Sequence, residues 1–503
     1  MILLEAEVHS SLLGYLRKHQ RPSWIHHLTM ARMVSRAIRT QRSALIQTGS
    51  TASRYSVSYL TPALLTRDPV ILVVSHKMRE RLLKVEIPQL QQWLESDKEI
   101  DIGECWPNSE FCGLLLTSPQ AWLGDRLEQK GVFPPNIPTL IEGANELEEW
   151  ARDYLTVSIT PQDWDCLLAQ CSHQAELIRN LRVKLTKEIF NHPKNPYECY
   201  LIEQPEQDDL QNLCQLLAAD LDENSPLSRF CRQMALEAQI LWTSIDRERG
   251  QFTLHSSPIQ VAPNLSSIWQ QQPIVLMGGF LDNDKEATIY RQKLGLGELL
   301  SLKFHPNRSS EFINLYLPDR LPLPNTPEFQ AVLMKQAYNL VSLCSQVEKP
   351  VVILVEDVPL KAQVGTILAA EFGSRVVVEK PELSEDIILV CGWDFWHQNQ
   401  ELFPTPQLLI IATLPIPSLE NPLVAAQVAY YKQKKQDWFR VYLLPTALKE
   451  IQRAVMPLRE AQGVVALLDN RVNSRSYGTQ ILAALEPYAR INYIDMGWFS
   501  NSN

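Results

Sequence analysis

The chain has 503 residues, 45% of them apolar, and a formal net charge of −10, the balance of a globular protein long enough for two to four cores. That charge excludes a surface that is cationic overall, but not a local basic cleft. The stretch "MILLEAEVHSSLLGYL" carries Glu5 and Glu7 where a secretory leader needs cations, and no apolar run reaches the roughly 18 residues of a membrane span. A cytoplasmic protein without membrane partners is expected.

Along the chain, "ALIQ", "PVILVV", "CGLLLT" and "PTLIE" fall between residues 43 and 142, with a late companion, "PIVLMG", ending at Gly278. Unbroken apolar runs of this length are parallel strands covered by helices on both faces. The stretch 146–255 that separates "PTLIE" from "PIVLMG" is helix-rich ("DWDCLLAQCSHQAELIRNLRVKLTKEIF", "SRFCRQMALEAQILWTSI") and predicts a helical insertion. The prolines of "YLPDRLPLPNTPEF", Tyr316 to Phe329, suit neither helix nor central strand and predict a linker. A second strand group follows over 349–470: "PVVILVE", "SRVVVE", "DIILVCG", "QLLIIA" and "GVVALLD". The fold class is α/β. The expected division is 1–145 for a first lobe, 146–255 for the insertion, 256–325 for the end of the first lobe and the linker, and 326–503 for a second lobe. The nine cysteines are odd in number and scattered, so reduced thiols and no metal site are expected.

Between "ALIQ" and "VSYLTPALL" lies "TGSTASRYS", Thr48 to Ser56. Strand, tight loop and helix are the order of a phosphate-binding P-loop, yet this loop has one glycine and no lysine. The stretch Leu408 to Leu482 holds "LPIPSLENP", "PTALKEIQ" and "GVVALLDNRVNSRSYG" in order. It resembles the second lobe of the DinG and XPD helicases of superfamily 2, and residues 290–329 are similar to the segment that joins that family's lobes. The resemblance implies two RecA-like lobes with ATP in the cleft between them, and ATP-driven 5′ to 3′ unwinding of DNA.

The chemistry that the resemblance implies is eroded motif by motif. Aligned from its start, the P-loop keeps Gly49, Ser50 and Thr51 and places Arg54 at the lysine; aligned from "YLTPALL", Tyr55 takes the lysine place and Ser56 keeps the hydroxyl. Where the family has D-E-A-H this chain has Glu142, Gly143, Ala144 and Asn145. Glu142 can reach a metal, but Gly143 cannot act as a base, a loss of about 10² to 10⁴ in rate. "LMGGFLD", Leu276 to Asp282, lacks the hydroxyls of the family's S-A-T. His397 to Gln400 stand where acids and a glycine follow Phe395 and Trp396. In the last motif Gln452 and Arg459 remain, while Val455 and Met456 replace a G-R pair. An arginine finger of that kind contributes about 10³ to 10⁵ in rate.

These losses predict a pseudo-helicase that binds single-stranded DNA or a protein partner. One alternative is a working ATP-dependent helicase with divergent motifs, in which Arg54 and Glu142 replace lysine and aspartate and ATP with magnesium is bound. Another is an interaction scaffold without nucleic acid. The nucleotide-site remnant is therefore Gly49, Ser50, Thr51, Arg54, Ser56, Glu142, Gln452 and Arg459, and Trp396 is the candidate for stacking a base. The resemblance implies single-stranded DNA or a DNA-repair or replication protein as partner. No cofactor is otherwise expected. Only Cys105 and Cys112 lie where family members gather four cysteines for an iron–sulfur cluster, so no cluster is expected. His26 and His27 stand near the family's adenine-reading glutamine, and packing or solvent exposure is their expected role. Lys432 to Lys435 are expected on a solvated helix face.

Overall fold

The computed structural model describes residues 3–19, 24–218, 220–324, 326–344, 349–381 and 386–494. The first lobe contains β1 (Ala44–Gln47), β2 (Val70–Val73), β3 (Ile100–Ile102), β4 (Leu114–Thr117) and β5 (Thr139–Glu142). The insertion then contributes β6 (Val157–Ile159), β7 (Cys199–Leu201), β8 (Gln239–Asp246) and β9 (Gln251–Pro258) before β10 (Ile274–Gly278) and β11 (Leu300–Lys303) complete the first sheet. That sheet is parallel, in the order β11-β1-β10-β5-β2-β4-β3. Its inner strands β2, β4 and β10 are apolar along almost their whole length because both faces are covered. Val70 and Leu72 point into one core with Ala44 and Ile46, whereas Ile71 and Val73 point into the other with Leu45.

The second lobe is built in the same way from β12 (Ile313–Tyr316), β13 (Val351–Leu354), β14 (Val376–Val378), β15 (Ile388–Cys391), β16 (Leu408–Ile411), β17 (Val464–Leu467) and β18 (Tyr488–Ile491). Their order is β14-β15-β13-β16-β17-β12-β18, again parallel, with a core on each face. All ten apolar runs read from the sequence are strands of these two sheets.

Three expectations need correction. The second lobe begins before residue 326: β12 lies between β17 and β18, so the proline-rich stretch joins two elements of the second lobe, and the passage between lobes runs through 304–312. The insertion is not purely helical. Its helices pack on a four-stranded antiparallel sheet, β6-β9-β8-β7, around a separate core that includes Trp164, Leu210, Phe230 and Leu254. Finally, Cys214 and Cys231 form a disulfide, because the helices Gln204–Leu217 and Pro226–Met234 that carry them pack side by side. The other seven cysteines are free, with Cys105 and Cys112 exposed.

Candidate functional site

Parallel α/β sheets present their sites beyond the carboxyl ends of the strands. Register brings three eroded motifs together there: Gln47 of β1 pairs with Gly278 of β10, and Met277 of β10 pairs with Glu142 of β5. The loop after β1 runs from Thr48 to Thr51, and the helix Ala52–Leu65 follows at once. Gly49 has φ +62°, a conformation that favours glycine, and an added Cβ would lie 3.1 Å from the Phe304 carbonyl oxygen.

A P-loop works by aiming free backbone N–H groups at phosphate. Here the Thr48 and Gly49 N–H groups each donate to a carbonyl, of Gly278 and Gly279, at 2.8 Å. Ser50 N–H points at Thr48 Oγ1, 3.4 Å away.

Beside this loop a cavity of 280 Å³ opens between the lobes, lined by Thr51, Tyr55, Glu142, Lys449, Arg453 and Met456 among others. Of the two residues that align with the lysine, Tyr55 lines this cavity. Its hydroxyl donates to Glu142 Oε1 at 2.9 Å, and both groups are buried. Burial pushes the Glu142 carboxyl up to about 7, with Glu146 and Glu401 adding in the same direction against the Tyr55 and Gly143 hydrogen bonds. Ser56 lies fully buried, its Oγ without a hydrogen-bond partner, and is not part of the cavity wall. A magnesium site in this family's manner needs an ionised carboxylate and a hydroxyl facing the phosphates. Here the Glu142 carboxyl is held toward its protonated form and the Ser56 hydroxyl lies outside the cavity, whose wall carries Ser50 and Thr51 instead.

Arg54 turns away from the cavity, toward the second lobe. Its Nη1 lies 2.6 Å from Glu311 Oε1 and 3.4 Å from Glu460 Oε1. Glu311 and Glu460 went unnoticed in the sequence because nothing in a local motif marks them. On the helix Leu444–Glu460, Lys449, Arg453 and Met456 face the first lobe, one helical turn apart. Lys449 Nζ donates to the Asn145 carbonyl at 2.7 Å and Arg453 Nη2 to Glu146 Oε1 at 3.0 Å. Met456, in the first finger's place, lies so close to Gly279 that a Cβ there would meet its Cε at 2.8 Å.

Other candidates lie elsewhere. Arg459 is buried within the second lobe, donating to the Ala484 and Pro487 carbonyls at 3.3 Å, and burial pushes its guanidinium down to about 10. Gln452 is absent from the cavity wall. Trp396 is fully buried in the second lobe's core, so it offers no face to a base. His397 meets Glu450, whose carboxyl is opposed by burial yet held down to about 2 by His397, Lys449 and Arg453. His27 is buried against Ser58 Oγ, and His26 stacks on Phe304. Lys432, Lys434 and Lys435 are exposed at the end of the helix Pro422–Gln433. Asp282 of "GFLD" is buried and accepts from the Tyr290 N–H at 2.8 Å. Among the described residues, no group of three or more His, Cys, Asp or Glu is placed to hold a metal, and no helix is long and apolar enough to cross a membrane.

Two parallel sheets, their carboxyl edges meeting across a cleft that carries the remnants of a P-loop and its partner motifs, define a RecA-like, two-lobed helicase fold. Residues 405–488 match the helicase C-terminal domain family. The ATP-dependent DNA helicase YoaA of Escherichia coli (strain K12) is 25% identical over 253 residues, which span 48% of this chain and 40% of YoaA. A solved XPD helicase structure superposes with a TM-score of 0.61 at 12% identity, over 92% of this chain and 99% of the other; the Xpd4 structure from S. tokodaii gives 0.60 at 13%, over 93% and 99%. The chain thus carries a match to a helicase C-terminal domain in its second lobe, shares weak sequence similarity with YoaA over less than half of that protein's length, and has the fold of the XPD structures.

Proposed function

We propose that this chain is a pseudo-helicase, a two-lobed scaffold that has lost ATP-driven cycling and grips single-stranded DNA passively. The observation that carries the reading is the Tyr55–Glu142 hydrogen bond, which fills the place of the lysine and magnesium contacts with a buried, neutral-leaning pair. The occupied Thr48 and Gly49 N–H groups and the methionine at the finger position agree with it. These residues do not reproduce the lysine and glutamate through which the family meets ATP and magnesium, which supports loss of nucleotide chemistry.

DNA binding is supported by family and by local charge. Lys77, Arg79, Arg81 and Lys84 cluster just after β2, at the carboxyl edge of the first sheet, although Glu401, Glu86 and Glu80 pair with Lys77, Arg81 and Lys84. Such a grip is dominated by phosphate contacts, so it should weaken steeply with salt. Titration of labelled single-stranded DNA at low and moderate salt, with and without Mg·ATP, tests this. The expected result is salt-sensitive binding of modest affinity that nucleotide leaves unchanged. Absence of binding at low salt would shift the reading to a protein scaffold, which the net charge of −10 would suit. Nucleotide-dependent affinity would restore a working motor.

A further inference from the structure

In a nucleotide-driven motor the lobes close because a lobe-two arginine reaches a phosphate held by lobe one. The charges in this cleft run the other way. The cation, Arg54, belongs to the first lobe's loop helix; its anions are Glu311, in the passage between the lobes two residues before β12, and Glu460, at the end of the second-lobe helix Leu444–Glu460. The Arg54 and Glu311 side chains are only 14% and 9% exposed, so salt screens the pair weakly. Glu311 is itself fixed, its Oε2 accepting from the Asn307 N–H at 2.7 Å.

Further ties cross the same cleft. Arg453 meets Glu146, Lys449 meets the Asn145 carbonyl, and Lys77 Nζ lies 3.0 Å from Glu401 Oε2. On the far side, β7 and β8 of the insertion, which is rooted in the first lobe, pack against the helix Pro422–Gln433 of the second.

We propose that these contacts form a built-in latch that holds the lobes closed without nucleotide, with the Glu311 and Glu460 carboxylates serving Arg54 as phosphate oxygens serve a P-loop cation. Both carboxylates are met by the one nitrogen Nη1 of a guanidinium that stays charged at every working pH. The latch deepens the pseudo-helicase reading and rests on it in one respect: a lobe pair that no longer opens has no cycle for ATP to drive.

Small-angle X-ray scattering and amide hydrogen exchange on the full chain test the latch separately from catalysis. Wild type is expected to scatter as one closed arrangement, unchanged by Mg·ATP. Arg54→Ala should enlarge the radius of gyration and speed exchange in both 48–56 and 449–460, on the order of tenfold, by allowing the cleft to open. If Arg54→Ala does not fold, Glu460→Gln removes one second-lobe partner at a partly exposed position and should shift both readouts in the same direction. Scattering and exchange identical to wild type in the folded variants would overturn the latch and leave the pseudo-helicase reading intact. Contraction of the wild-type protein on adding Mg·ATP would overturn the latch and contradict that reading as well.

Discussion

Glu142 aligns with the first residue of the family's D-E-A-H, and its surroundings favour its protonated form. It is buried, accepts from Tyr55 and is pushed up to about 7 from an ordinary 4.5. The folded chain therefore binds this proton more tightly than the unfolded chain does. The stabilisation is complete below about pH 4.5 and is lost as pH rises through about 7. Glu142→Gln, neutral at every pH, should match wild type near pH 4 and exceed it at pH 8 by up to about 3 kcal/mol. Urea unfolding at the two pH values checks this; an equal difference at both would contradict it. Trp396 shows what residue-level reading of the sequence misses. An aromatic beside an apolar strand suits base stacking and core packing equally, and only its full burial decides for the core. Trp396→Ala should cost about 3 to 5 kcal/mol in a denaturant melt. Trp396→Phe should fold and bind single-stranded DNA as wild type does. The partners of Arg54 were equally hidden, Glu311 lying 257 residues away in the chain.

Elements were legible where one physical signal dominated. The ten apolar runs are strands because burial on both faces selects apolar side chains at nearly every position, the polar ones falling at strand ends. The strands β3, β11, β12 and β18 escaped notice because three or four residues with polar members carry no clear period. In the insertion, "QILWTSID" alternates buried and partly exposed positions along β8, and the helical segments around it masked that period of two. Its separate core and the pairing of Val157 with Ser256, which brings its two ends together, suggest a self-sufficient unit. A fragment spanning 157–258 should fold by itself, with dispersed amide signals in NMR and a cooperative melt. A collapsed state without fixed side-chain signals would contradict this.

For the molecule as a whole, the two-lobed architecture was legible because a long, ordered set of turns and helix starts near the carboxyl end carries the family's pattern. The closed cleft was not. Its cross-lobe contacts join residues hundreds of positions apart, and each is an ordinary charged side chain taken alone. A pseudo-helicase keeps the fold and lacks the nucleotide chemistry. The most direct test is ATP hydrolysis by the purified chain with and without single-stranded DNA. No stimulated turnover is expected, because the lysine, the water-polarising glutamate and the first finger arginine are all replaced. DNA-stimulated turnover on the order of 1 per second, abolished by Glu142→Ala, would contradict the account.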